Sequence, residues 1–230
     1  MSKTVNEDDV RKVLGNDRFF WETDYPRQIP KITCKEIFPN SKGWVLNGVF
    51  TPLECQKLID MGNRIGYESL KDEYAVSYRN NLRFMLSSPS LANEMFKRIK
   101  DYIPEELHNG SWKLEGLNDY FRCCKYNKGG IFGIHQDSSY KPEPKRRSYY
   151  TCMLYLNKTQ GGKTRFYDDI VNRRIVAELP PAPGQVLLFD PDIWHDGAKV
   201  YFDEKYIVRT EVMYGGKCYF PPATPFAYNT

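Results

Sequence analysis

Residues 149–167 read YYTCMLYLNKTQGGKTRFY. Two runs of aromatic, aliphatic and Thr residues, Tyr149–Leu156 and Thr164–Tyr167, flank the turn residues Gln160-Gly161-Gly162. Runs of this type bounded by glycine turns predict strands. The same grammar extends in both directions from about residue 111. Upstream lie Asp119–Tyr126 and Phe132–His135, separated by Asn127-Lys128-Gly129-Gly130. Downstream lie Arg174–Leu179, Val186–Phe189 and Tyr206–Tyr214, with Pro183-Gly184 as a further turn. Many short strands at this spacing predict an antiparallel sandwich or barrel.

Before residue 111 the pattern is helical. Thr51, Pro52 and Glu54 predict an N-cap, a first helical position and a capping box, and Gly62 or Gly66 ends that helix. A second helix starts near Ser88-Pro89. Leu91, Met95, Phe96, Ile99 and Ile103 form its apolar stripe, and Pro104 stops it. The expected fold class is therefore mainly β with flanking helices (α+β), the helices backing one sheet. Residues 1–43 read as a polar arm whose Phe19, Phe20, Trp21 and Tyr25 pack on the body. Residues 44–230 read as a single domain with its β-core from about residue 111.

Composition narrows the function classes. The chain has 230 residues, 41% hydrophobic and 27% charged, enough for a packed core. No stretch approaches the roughly 18 consecutive apolar residues of a membrane span. A net charge of +4 does not mark a nucleic-acid binder. No C-x-x-C pair occurs among the six cysteines, so a structural zinc site is not expected, and neighbouring Cys123 and Cys124 would face opposite sides of a strand. The N-terminal stretch is acidic and lacks an apolar segment, which predicts a cytoplasmic or nuclear setting with ordinary thiols.

With only three histidines in the chain, each is informative. Gly133-Ile134-His135-Gln136-Asp137 places an imidazole and a carboxylate two apart, on one side of a strand. His195 follows a separate apolar strand and can return to the same mouth. Two histidines and a carboxylate with open positions form the facial triad of non-haem Fe(II) oxygenases. His135, Asp137 and His195 are thus both the candidate metal ligands and the candidate catalytic residues. His108, in a polar turn before Asn109-Gly110, reads as surface. Lys205 and Arg209 lie four apart on the last strand, so both face inward. A buried cation needs an anionic partner, and a dicarboxylate cosubstrate supplies one.

These motifs in this order carry a resemblance. Asn47-Gly48-Val49-Phe50, Arg122-Cys123-Cys124-Lys125-Tyr126, His135-x-Asp137, Thr151–Asn157, Gly161–Phe166, Val186–Phe189, His195-x-Gly197 and Lys205-Tyr206 are similar to the prolyl 4-hydroxylase-like branch of the Fe(II)/2-oxoglutarate-dependent dioxygenases. The match covers roughly residues 44–214. It implies a double-stranded β-helix (jelly-roll or cupin-like) core and Fe(II), 2-oxoglutarate and O₂ as cofactors, with ascorbate as an accessory reductant. It implies that Lys205 and Tyr155 hold the far 2-oxoglutarate carboxylate, with Tyr126 and Thr151 lining the pocket. Arg209 is left with three roles: that carboxylate, the C1 carboxylate or the substrate. The implied reaction couples decarboxylation of 2-oxoglutarate, releasing succinate and CO₂, to hydroxylation of an unactivated C–H bond.

The expected substrate is a prolyl residue of a protein or peptide. A free amino acid or small metabolite is the alternative, and a non-catalytic β-barrel binding module the non-enzyme reading. Neither a membrane nor nucleic acid is expected as a partner. The nucleic-acid demethylase branch carries a second arginine six positions after its first strand cation, where this chain has Glu211 after Lys205 and Gly215 after Arg209. Arg79, Arg83 and Arg165 are the candidate substrate contacts. For each, pairing with an acid is the structural alternative. The basic loop Ser138–Arg147 is a further recognition candidate, with a solvated loop as its bland reading.

Overall fold

The computed structural model describes residues 2–15, 19–22, 31–40 and 42–216. Its strands are β1 (Thr4–Asn6), β2 (Thr33–Phe38), β3 (Gly43–Asn47), β4 (Leu82–Ser87), β5 (Trp112–Leu117), β6 (Tyr120–Tyr126), β7 (Phe132–His135), β8 (Arg146–Tyr155), β9 (Thr164–Asp169), β10 (Arg174–Leu179), β11 (Val186–Phe189), β12 (Trp194–Gly197) and β13 (Lys205–Gly216), besides four two- or three-residue pieces. Helices α1 (Glu7–Leu14), α2 (Pro52–Ile65) and α3 (Pro89–Ile99) complete the set. The large sheet runs β1-β4-β6-β13-β8-β11-β3-β2, with β5 beside the far end of β13. A four-stranded sheet runs β10-β9-β12-β7. The two sheets form the core of a jelly roll.

Strand alternation sorts side chains into two cores. On β8, Tyr150, Cys152 and Leu154 join the helix-side cluster with Leu58, Phe84 and Met95. Met153 and Tyr155 join the inter-sheet cluster with Phe166, Leu187 and Phe189. On β6, Cys123 lies in the helix-side core and Cys124 in the inter-sheet core, on opposite faces as adjacent strand residues must be.

The helices follow their capping signals. Thr51 and Glu54 make the reciprocal capping box of α2, which ends at Gly66 with φ +83. Ser88 caps α3, which stops at Ile99; a short 3₁₀ turn then carries the chain to Ile103. Arg98 of α3 reaches back to α2, donating to both Glu54 carboxylate oxygens at 2.8 and 2.9 Å, to Glu94 at 2.7 Å and to the Val49 carbonyl at 2.9 Å. Removing one member of such a buried pair leaves the other's charge uncompensated. Arg98→Leu is therefore expected to destabilise the protein by about 3–5 kcal/mol, read as a lower urea midpoint at unchanged slope.

The large sheet also uses residues ahead of 111, where the sequence suggested an arm and helices alone. β4 lies between β1 and β6, and β3 pairs with β11 along its whole length. The expected boundary at residue 43 falls at the β2–β3 hairpin. Residues 7–14 form a capped helix, with Asn6 and Asp9 as its box and Val10 buried. Phe19 and Trp21 stack at 4.5 Å in the helix-side core, and the Trp21 indole donates to Ser90 Oγ at 2.7 Å. Tyr25 lies outside the described residues, and so does Cys218. Among the described residues no helix is long and apolar enough to cross a membrane.

Candidate active site

Antiparallel pairing of β7 and β12 sets His135 directly opposite His195. Their ring centroids are 4.2 Å apart. Each ring donates its Nδ1–H to the carbonyl two residues earlier, Gly133 O and Ile193 O, both at 2.9 Å. A carbonyl only accepts, so each ring carries a proton on Nδ1 and, when neutral, leaves its Nε2 lone pair free. Those lone pairs converge on Asp137, with His135 Nε2 3.5 Å from Oδ1 and His195 Nε2 3.7 Å from Oδ2. One donor atom from each of the three lies within 4.8 Å of the others.

Asp137 is fixed from every side. Its backbone N–H donates to Pro191 O at 2.9 Å. Thr151 Oγ1 donates to Oδ2 at 2.6 Å, and Arg209 Nη2 lies 3.0 Å from Oδ1. Burial pushes this carboxyl upward, but Arg209, His135, His195 and Thr151 together outweigh it and hold it far below the usual range. Burial also pushes the His195 imidazole down to about 4, so it is neutral and able to donate its lone pair at physiological pH.

Lys205 opens β13 and is 3% exposed. Its Nζ donates to Gly162 O at 2.6 Å and lies 5.3 and 5.5 Å from the centroids of the Tyr126 and Tyr155 rings. No carboxylate lies within 4.0 Å of it among the described residues. Burial pushes the ammonium down to about 8. The Gly161-Gly162 turn permits this approach: Gly162 has φ +64, and a Cβ there would sit 3.1 Å from the lysine chain. Tyr155 OH shares a 2.7 Å hydrogen bond with Thr164 Oγ1.

Alternation on β13 puts Lys205, Ile207, Arg209 and Glu211 on one face. The first three, with Tyr126, Thr151 and the three triad residues, line one cleft. The cleft thus joins a His-Asp-His cluster and an acid-free lysine on facing strands of a jelly roll. Residues 121–210 match the family model of the 2OG-Fe(II) oxygenase superfamily. The matched stretch includes His135, Asp137, His195 and Lys205.

Three solved structures illustrate the similarity of fold. A prolyl hydroxylase from Trichoplax adhaerens, in complex with a hypoxia inducible factor peptide fragment, is 14% identical. It aligns over 77% of this chain and 84% of its own, with a TM-score of 0.55. HygX from Streptomyces hygroscopicus, with nickel and 2-oxoglutarate bound, is 13% identical over 79% and 85%, at 0.54. A Pseudomonas putida prolyl-4-hydroxylase is 12% identical over 77% and 94%, at 0.52. No curated protein matches the chain.

The remaining sequence candidates separate. Arg79 lines the cleft. Arg83 turns away from it, to Glu73 at 3.1 Å and Ser2 at 2.8 Å. Arg165 holds both Asp196 oxygens, one of which also accepts from Tyr167 OH at 2.9 Å; Asp196 itself lines the cleft. In the basic loop region Arg146 pairs with Glu115 at 2.8 Å. Arg209 meets two acids, Asp137 at 3.0 Å and Glu211 at 3.8 Å. Arg122 and Phe132 are among the lining residues that were not predicted. Arg122 shares a face with Cys124 and Tyr126, a signal that strand alternation carries. Phe132 stacks on His135 at 3.7 Å, three residues before it in sequence.

Proposed function

We propose that this oxygenase holds Fe(II) through His135, Asp137 and His195 and hydroxylates an unactivated C–H bond, most directly on a prolyl residue of a protein or peptide. The observation that carries the metal assignment is the pair of Nδ1-protonated histidines. Both Nε2 lone pairs face one carboxylate that charge and hydrogen bonds keep ionised. Two imidazoles and a carboxylate suit Fe(II) and leave positions open for small ligands. Iron held there supplies O₂ activation coupled to conversion of 2-oxoglutarate to succinate and CO₂, with ascorbate as an accessory reductant.

The chain's own groups do the rest. Lys205 supplies the positive charge for the far carboxylate of 2-oxoglutarate, and the Tyr155–Thr164 hydroxyl pair borders the same end of the cleft. Thr151 and Arg209 keep Asp137 oriented and ionised. Inter-sheet packing of Phe166, Phe189 and Ile207 excludes water from below. The prolyl assignment is supported by the fold shared with two prolyl hydroxylases, one holding a peptide.

Anaerobic titration with Fe(II) and 2-oxoglutarate tests this reading through the visible metal-to-ligand charge-transfer band. A band is expected in the wild type and none in His135→Ala. Bound iron with no band would remove 2-oxoglutarate from the proposal. The pH dependence has a definite sign. Lys205 titrates near 8 when its cleft is empty and must be charged to hold a carboxylate. Affinity for 2-oxoglutarate should be flat below pH 8 and fall about tenfold per pH unit above it. A Lys205→Arg variant should lose that slope, because a guanidinium stays charged.

A further inference from the structure

Arg79 is a buried cation that the proposed cofactors leave unanswered. The residue is 6% exposed and lines the cleft. It sits in a segment bonded against the entry to β7: Gly133 N–H donates to Tyr78 O at 2.6 Å, and Arg79 bridges to Phe132. Its guanidinium lies 4.1 Å from the Phe132 ring centroid and 4.9 Å from that of Tyr74. Phe132 in turn stacks on His135, so Arg79 stands one ring away from the candidate iron. Its Nε donates to Asn81 Oδ1 at 2.7 Å. No carboxylate lies within 4.0 Å of it among the described residues. What remains is the edge carrying Nη1 and Nη2, whose paired N–H groups match two carboxylate oxygens.

The other charges of the cleft are accounted for. Asp196 is held by Arg165, and Glu211 pairs with Arg122. Asp137 serves the metal, and Lys205 serves 2-oxoglutarate. Arg122 and Arg209 are direct cross-strand partners on β6 and β13, an arrangement of like charges that costs stability. Arg209 also keeps a buried Nε with no hydrogen-bond partner. The Tyr126 hydroxyl lies in the field of both Arg79 and Arg209. Once metal and cosubstrate are loaded, the cleft retains positive charge on the substrate side.

Resting on the hydroxylase reading above, we infer that the substrate carries a carboxylate close to its reacting carbon and that Arg79 binds it, with Arg209 nearby. That carboxylate comes either from a free small acid or from an acidic residue beside the target in a peptide. Neutral prolyl sequences are then poor substrates.

The test uses the full chain loaded anaerobically with Fe(II) and 2-oxoglutarate, reading perturbation of the charge-transfer band. Four probe pools are compared: the free amino acids, their primary amides, blocked dipeptides containing Asp or Glu, and the same dipeptides with Asn or Gln. One acid pool should perturb the band at concentrations at least tenfold below its amide counterpart, and which one identifies the source. Arg79→Gln should form the band normally and lose the acid preference, and Arg79→Lys should regain part of it. Acid and amide pools acting equally, or neither acting, would overturn the inference. Inorganic phosphate outperforming both acid pools would overturn the carboxylate assignment. If no band forms, the hydroxylase reading has failed instead. An acid-dependent thermal upshift of metal-free Lys205→Met protein, absent when Arg79→Gln is added, still decides the role of Arg79. The amide comparison in wild-type protein needs no variant to fold.

Discussion

Asp137→Ala is expected to abolish iron retention and succinate formation and, independently, to destabilise the metal-free protein by about 3 kcal/mol. The two losses have different causes. Iron retention fails because the candidate ligand set drops from three donors to two. Stability falls because Asp137 is the close acid partner of Arg209, at 3.0 Å, and the acceptor for Thr151 Oγ1, at 2.6 Å, in a site with 3% side-chain exposure. Its loss leaves a largely buried guanidinium with only Glu211, at 3.8 Å and already shared with Arg122. His135→Ala is the matched control. It removes the same iron but keeps the Asp137–Arg209 pair, so its urea midpoint should fall much less. Iron content after anaerobic gel filtration and urea titration of the apo-proteins measure the two effects separately. Iron retained by Asp137→Ala would remove Asp137 from the metal site. Equal destabilisation by both variants would remove the ion pair as the cause. The pH sign also follows. The folded-state pKa of Asp137 is depressed. Its contribution is therefore complete above the unfolded carboxylate value and is lost only as pH falls toward the folded one.

The triad was legible because each piece obeys a short-range rule. His135 and Asp137 are two apart, and His195 follows the strand that returns beside them. The inward set on β13 was legible for the same reason: Lys205, Ile207, Arg209 and Glu211 share a face by alternation. Cap chemistry likewise placed the starts of α2 and α3.

Less was readable where long-range pairing decides the outcome. β2 reads TCKEIF and is exposed or half-buried along its whole length, so it carries no apolar alternation; it is a strand because β3 offers it an edge. β4 does alternate, burying Phe84 and Leu86, but Arg83, four residues after Arg79, made the segment read as a pair of substrate contacts. Pairing separates those two arginines. Arg83 lies in β4 against Glu73 and Ser2, while Arg79 turns onto Phe132. Spacing within the segment holds no record of that. The opposition of Arg122 and Arg209 is equally hidden, because register between distant strands is a property of the assembled sheet.

Lys205→Met is expected to weaken 2-oxoglutarate binding by about 30- to 1,000-fold, equivalent to about 2–4 kcal/mol, while making the metal-free protein more stable. A desolvated cation facing the cosubstrate's carboxylate contributes in that range. In the empty cleft the same cation is a burden. It has one strong acceptor, Gly162 O, and lies among Tyr126, Tyr155 and Ile207. Its depressed pKa carries the same sign: between about 8 and the ordinary lysine value the unfolded chain binds more protons than the folded one. Apo stability should therefore rise as pH increases through that window, and methionine should remove both the slope and the burden. The unbranched apolar chain fits the space the lysine stem fills. Saturating 2-oxoglutarate reverses the order of stabilities, since binding stabilises the wild type in proportion to its affinity. Thermal midpoints of both proteins, with and without 2-oxoglutarate, should therefore cross. A Lys205→Met protein less stable than wild type in both conditions would mean that the lysine serves the fold. Crossing curves would mean that its buried charge is a cost the empty protein carries for the sake of the cosubstrate.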